Sequence, residues 1–184
     1  MLKMKIPCFG LISIMACAVF YPAQSVYAKN MLRPNVSLCN TNEKIIFNCK
    51  IKNSANILSV CTSQNLSNDS GYLQYRFGRK GAIELEYPAE KEMSPSSFLF
   101  ARYTRFQVSK LTLSFSNNNV NYTIFDNYDA ESRPYVKEKG VTISGQRIEN
   151  KNIKLLCGQD ALSNLEDLED IVPCDENLSI GGCK

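Results

Sequence analysis

The chain has 184 residues, a formal net charge of +3 and no histidine. Without an imidazole, the Ser-His and Cys-His pairs that activate most hydrolytic nucleophiles cannot form. Lys/Arg runs never exceed two residues, so no nucleic-acid surface is expected, and no pattern for a cofactor is present.

The first 28 residues have the layout of a secretory signal. Two lysines precede the uncharged run Ile6–Phe20, and Val26 and Ala28 fit the −3 and −1 positions that signal peptidase reads. We therefore expect residues 1–28 to be a signal peptide. Residues 29–184 would then form one β-rich domain, located in the periplasm or secreted.

A lipid anchor is the alternative to simple cleavage. Ile14–Cys17 roughly matches a bacterial lipobox, but Met15 fits its place poorly, so acylation of Cys17 is not expected. The apolar run is shorter than the about 20 residues that span a bilayer. No transmembrane segment is predicted.

The mature chain begins with two β-prone runs, Ile45–Lys52 and Ile57–Cys61, separated by a turn-forming Asn/Ser cluster. A loop at 54–56 would place Cys49 directly opposite Cys61. Because cross-strand Cβ distances can narrow to disulfide length, this spacing predicts a Cys49–Cys61 bridge.

The segment 71–87 predicts a hairpin, because apolar residues alternate on both sides of a glycine-containing turn. The apolar faces can meet only if paired positions have an even sum. We expect a five-residue loop that sets Phe77 against Ile83 and Arg76 against Glu84.

A second hairpin is predicted between Leu111–Phe115 and Val120–Ile124. A type I′ turn at Asn117–Asn118 would align Phe115 with Val120. Asparagine tolerates the positive φ that this turn needs.

The remaining β-prone segments are Phe98–Val108, predicted as one strand, and Val141–Ser144 and Ile153–Cys157, predicted as the last two. Residues 126–139 are charged and contain Pro134, which predicts an exposed loop. Six aromatic residues are expected to fill the core, with a sugar-stacking groove as the alternative: Tyr103, Phe106, Tyr122, Phe125, Tyr128 and Tyr135.

Residues 160–184 form an acidic segment with seven acidic side chains and one basic, whereas 29–159 carries 18 basic and 11 acidic. We expect this segment to lie against the basic body of the same molecule; a basic face for an anionic partner is the alternative. A capping-box pattern at Ser163–Glu166 and leucines at spacing three predict a short helix or 3₁₀ turn that ends at Pro173.

Six cysteines remain after the signal, and an even set in an exported chain predicts disulfides. The tail cysteines are expected to pair with each other or with Cys39 and Cys157. Thiolate pairs at C-x-x-C spacing are absent, so no zinc site is predicted. The complete disulfide set is Cys39, Cys49, Cys61, Cys157, Cys174 and Cys183.

The carboxylates Asp126, Asp129 and Glu131 lie close together in a predicted loop, where calcium ligands are common. Their spacing does not match an EF-hand, since the glycine and the closing glutamate are missing. No metal is therefore expected.

Short strands joined by hairpin turns, without alternating helices, predict an all-β fold. The expected architecture is an antiparallel sandwich or barrel of about eight short strands, stapled by disulfides, with a short C-terminal helix.

The polar face of the 71–87 hairpin is the predicted binding surface, because tyrosine and arginine are enriched at binding hot spots. An ordinary outer sheet face is the alternative. Glu84 and Glu86 would stand about 7 Å apart on one strand, which fits a pair of glycosidase carboxylates as well as a solvated face. The candidate residues are Tyr72, Gln74, Arg76, Glu84 and Glu86.

The region 47–88 resembles a pattern of uncharacterised exported proteins of Gram-negative bacteria. Four motifs carry the resemblance: Phe47-Asn-Cys49, Ser59-Val-Cys61, Tyr72-Leu-Gln-Tyr-Arg-Phe-Gly78 and Glu84-Leu-Glu-Tyr-Pro88. The resemblance implies a periplasmic location and brings no activity. The general plan, a secreted all-β domain with disulfides, is also similar to that of periplasmic lysozyme inhibitors.

These features favour a periplasmic binding or inhibitor module whose partner is another protein, such as a cell-wall hydrolase. The alternatives are a carboxylate-dependent envelope hydrolase and a structural envelope component. No recognisable catalytic constellation is present, so an enzyme is not the favoured interpretation.

Overall fold

The computed structural model describes residues 36–92, 94–145 and 152–178, which belong to one compact unit, Leu32–Lys184. The predicted signal peptide, Cys17 and Cys183 lie outside these residues. Within the described ranges the chain forms ten strands: β1 Lys44–Lys50, β2 Ile57–Thr62, β3 Leu73–Arg79, β4 Ala82–Tyr87, β5 Leu99–Arg105, β6 Val108–Asn117, β7 Val120–Asp129, β8 Val136–Gly145, β9 Ile153–Leu156 and β10 Leu162–Ser163.

The strands form two antiparallel five-stranded sheets, in the orders β10-β1-β2-β3-β4 and β5-β6-β7-β8-β9. Inward-facing side chains of both sheets build one core cluster, with Phe47, Leu58 and Tyr75 from the first sheet and Leu113 and Ile124 from the second. The predicted all-β, antiparallel, disulfide-bonded class is confirmed. No helix of the described ranges is long and apolar enough to cross a membrane.

The predicted loop at 126–139 is mostly strand. β7 continues to Asp129 and β8 begins at Val136, so only residues 130–135 connect them. The two strands pair without a break from Val120↔Gly145 to Asp129↔Val136, and this ladder satisfies backbone groups whatever charge the outward side chains carry. The charged composition was therefore a misleading loop signal.

The β6–β7 hairpin forms as predicted, but its turn lies one residue later. Asn118 and Asn119 carry the positive φ values, 52° and 63°, and Phe115 pairs with Tyr122 instead of Val120. Moving a turn by one residue moves each partner by two. The same faces therefore still meet.

The β3–β4 hairpin also differs in register, because its turn is only Lys80 and Gly81 and a bulge then shifts the pairing by one residue. Phe77 pairs with Leu85 and Arg76 with Glu86, and a bulge follows at Gly78. Gly78 has a φ of +139°, and a Cβ there would lie 2.6 Å from a carbonyl oxygen of β4. Only glycine fits this bulge.

The predicted Cys49–Cys61 disulfide is wrong. β1 ends at Lys50, three residues earlier than expected from a loop at 54–56, while β2 begins at Ile57, so Cys49 pairs with Leu58 in the ladder. Cys49 instead bonds Cys157, and Cys39 bonds Cys61. Cys174 is also disulfide-bonded.

The C-terminal helix prediction is met by a 3₁₀ turn at Leu165–Leu168, whose two leucines are fully buried. The predicted capping box does not form: Ser163 belongs to β10, and Asn164 is the N-cap residue. The backbone N–H of Asn164 donates to the Ile46 carbonyl at 2.7 Å. This bond and β10 hold the segment on β1.

Candidate binding surfaces

The predicted binding face of β3 is mostly covered. Gln74 is fully buried and Arg76 is only 3% exposed, although strand alternation directs both away from the core. The segment 36–43 crosses this face of the sheet and contacts it. The expectation of an outward-facing polar surface is therefore wrong for these two residues, and a binding role for the five-residue set stays a prediction.

Arg76 is the centre of a buried ionic network beneath this segment. Its Nη1 and Nη2 donate to the Glu43 carboxylate at 2.6 and 2.9 Å, and its Nε donates to Glu86 at 2.8 Å. The Tyr72 hydroxyl donates to Glu43 at 2.7 Å. Burial alone would raise the pKa of Glu43, but these bonds and one from the Asn40 amide lower it to about 2.

The covering segment is fastened by neutral contacts as well. Leu38 gives its amide to the Ser59 hydroxyl at 3.1 Å, and its carbonyl accepts from Arg76 at 3.0 Å. The Cys39–Cys61 disulfide crosses from the segment to β2. The network therefore holds residues 36–43 against the sheet, which is a structural role. It also explains how the polar side chains of β3 can be buried, because each one has a hydrogen-bonding partner.

The two carboxylates of the hydrolase hypothesis are held by neighbours. Glu84 accepts from Asn56 Nδ2 at 3.3 Å, and Glu86 is the ion-pair partner of Arg76. Neither lines the two grooves described below. Among the described residues, neither groove therefore places this pair in a cleft.

The potential metal ligands are engaged in other bonds. Cys39, Glu43 and Cys61 converge within 4.8 Å, but the sulfurs form a disulfide and Arg76 occupies the carboxylate. At the end of β7, the Asp129 carboxylate accepts the backbone amides of the loop residues Glu131 and Ser132, both at 3.0 Å. These contacts leave neither group a set of oxygens directed at one cation.

An exposed aromatic tip, defined by Phe106 and Tyr135, stands at one end of the second sheet. Phe106 is 82% exposed and Tyr135 is 66% exposed. The expectation that both fill the core is wrong. Phe106 and Gln107 form the two-residue turn between β5 and β6, since Arg105 pairs with Val108, whereas the sequence was interpreted as one continuous strand.

The tip is held in a fixed shape by contacts between its two loops. The Ala130 amide donates to the Gln107 carbonyl at 2.9 Å, and Arg105 forms an ion pair with Glu131. Arg105 also donates to the Tyr103 hydroxyl at 2.8 Å. Phe106 is therefore presented on a preorganised support. The backbone feature that marks the turn is the positive φ of Gln107, 59°. The sequence alone does not show this angle.

A basic groove of about 960 Å³ lies where the ends of β1 to β4 meet residues 158–160. Four cations line it: Lys50, Lys52, Arg79 and Lys80. A smaller groove of about 390 Å³ shares Lys52 and continues to Lys137 on β8. In the acidic segment 160–184, Glu169 forms an ion pair with Arg102 at 2.5 Å. Arg102 does not line either groove.

The described surface thus offers an aromatic tip on the second sheet and a basic groove at one end of the first sheet. Neither surface belongs to the five predicted binding residues, although Phe106 and Tyr135 were among the aromatics of the alternative sugar-stacking groove. No protein-family model, curated protein or solved structure matches the chain, and none therefore supplies a role for these side chains.

Proposed function

We propose that this chain is an exported protein-binding module of the inhibitor type, and that the aromatic tip is its main contact with the partner. The observation that carries the proposal is Phe106, a large apolar side chain 82% exposed on a fixed turn. The disulfides indicate a folded domain outside the reducing cytoplasm. Periplasmic export, through the signal at residues 1–28, is part of the proposal.

Exposed aromatics on a rigid support suit binding to a concave partner surface. Burying a phenylalanine side chain contributes about 1.5–3 kcal/mol, and Phe106 can contribute this only in a complex. Its turn is already ordered by Arg105 and Ala130, so little conformational entropy is lost on binding. Tyrosine and arginine, the residue types around it, are enriched at interface hot spots.

The partner that we propose is a cell-wall hydrolase, whose substrate cleft is a concave surface of the kind that a protruding aromatic turn can enter. The first sheet, against which residues 36–43 are held, fits this role, because an inhibitor must not rearrange when it binds. The clamp by Arg76 and the Cys39–Cys61 and Cys49–Cys157 disulfides support such rigidity.

The test is binding of the mature chain, residues 29–184, to a panel of purified lysozymes by biolayer interferometry, together with inhibition of their activity. Phe106→Ala is expected to weaken binding by about 30-fold or more, as for a hot-spot residue. Ile83→Ala is the matched control, because Ile83 is also apolar and 45% exposed but lies on β4. Absence of binding to every hydrolase, or equal losses for the two variants, would refute the proposal.

A further inference from the structure

The basic groove combines an apolar floor with a cationic rim. Ile51 and Ile57 lie at its base but are only 5% and 7% exposed. The apolar surface that a ligand can contact comes mainly from Val36, 49% exposed, and from the exposed Ala55. The rim carries Lys50 and Lys52, with Arg79 and Lys80 at the turn between β3 and β4. A ligand must satisfy both surfaces.

The rim cations are available to a ligand. Among the described residues, Lys50, Lys52, Arg79 and Lys80 form no ion pair, whereas Lys139 and Lys154 nearby are paired with Asp126 and Glu138. Asp160 is the acidic member of the lining set. Four cations around one carboxylate produce a positive potential that attracts an anionic chain.

The chemistry of the lining distinguishes between anionic ligands. None of the described lining residues is aromatic, so the groove lacks the stacking platforms on which nucleic-acid bases and sugar rings pack. A phosphate polymer would also leave the apolar floor uncovered. An extended peptide in which acidic and apolar side chains alternate would place carboxylates at the rim and apolar groups on Val36 and Ala55.

We propose that this groove is a second binding site, separate from the aromatic tip, for an acidic polypeptide segment that also carries apolar side chains. The site uses charge complementarity for orientation and the apolar floor for contact. It does not depend on the identity of the partner at Phe106.

The probe is a fluorescein-labelled decapeptide of alternating glutamate and valine, titrated with the mature chain and followed by anisotropy. Lys52→Glu is expected to raise its Kd about tenfold. Lys44→Glu is the matched control, because Lys44 is an exposed lysine at the opposite end of β1 and the charge change is the same. Raising the salt from about 0.05 to about 0.3 M should weaken wild-type binding, since exposed charges are screened.

Three results would overturn the proposal. The first is equal affinity for the same peptide with glutamine in place of glutamate. The second is an equal loss in Lys52→Glu and Lys44→Glu. The third is binding of linear polyphosphate without binding of the peptide, which would assign the groove to phosphate polymers. Phe106→Ala should leave the peptide Kd unchanged, so failure of the hydrolase proposal and failure of this one are distinguishable.

Discussion

Removing the Glu43 carboxylate should destabilise the domain strongly, because the side chain is fully buried against a buried arginine. Glu43→Ala removes the acceptor of Arg76 Nη1 and Nη2, of the Tyr72 hydroxyl and of the Asn40 amide. Breaking one partner of a buried pair costs about 3–5 kcal/mol. Arg76 keeps its bond to Glu86, so we expect about 3–4 kcal/mol.

The assay is urea unfolding of the oxidised chain of residues 29–184, with the m-value checked for constancy. Glu86→Ala is the control on the same arginine, because Glu86 is 38% exposed and its bond should contribute about 1 kcal/mol or less. The double variant Glu43→Leu/Arg76→Met should be more stable than Glu43→Ala, since an apolar pair leaves no buried charge. A loss from Glu43→Ala no larger than that from Glu86→Ala would refute the reasoning.

Three further outcomes follow from the same structure. The pKa of Glu43 is lowered from 4.5 to about 2. The carboxylate therefore stabilises the folded state above about pH 4.5, and this contribution is lost as the pH falls towards 2. The urea midpoint of Glu43→Gln should lack this part of the wild-type pH dependence. Gly140→Ala should destabilise the domain by more than about 2 kcal/mol, because the new Cβ would overlap the backbone carbonyl oxygen of Leu155. Gly81→Ala is the control and should cost about 1 kcal/mol, because its φ is +80° but no atom lies within 4 Å of the new Cβ. Equal melting temperatures for the two variants would contradict this prediction. Replacing Cys49 and Cys157 by serine opens a loop of 108 residues and should cost about 4–5 kcal/mol, and thermal unfolding unchanged from wild type would exclude that stabilising role.

The strands and apolar faces of the two predicted hairpins were predictable from sequence, and their exact partners were not. In both central hairpins the predicted register is two residues from the observed one: Phe115 pairs with Tyr122, and Phe77 with Leu85. Registers that differ by two keep the apolar faces together, so the pattern cannot separate them. Packing separates them, since Phe115 stacks on Tyr122 at 4.8 Å in the core.

The candidate surfaces depended even more on the tertiary structure. Phe106 has the large apolar side chain that is typical of core residues. Only the ladder that pairs Arg105 with Val108 places it in a turn. The cations of the basic groove come from segments separated by up to 30 residues, such as Lys50 and Lys80. Local patterns carry no information about such convergence.

The sequence by itself determined the β class, the disulfide-bonded character and the inner faces of the two predicted hairpins, because two-residue periodicity and cysteine content are properties of short segments. Tertiary structure alone decided which cysteines meet and what covers the polar face of β3. Alternation shows that Arg76 and Gln74 point away from the core, but burial depends on a distant segment. Residues 36–43 cross that face because Glu43 compensates the arginine charge, and this pairing spans 33 residues.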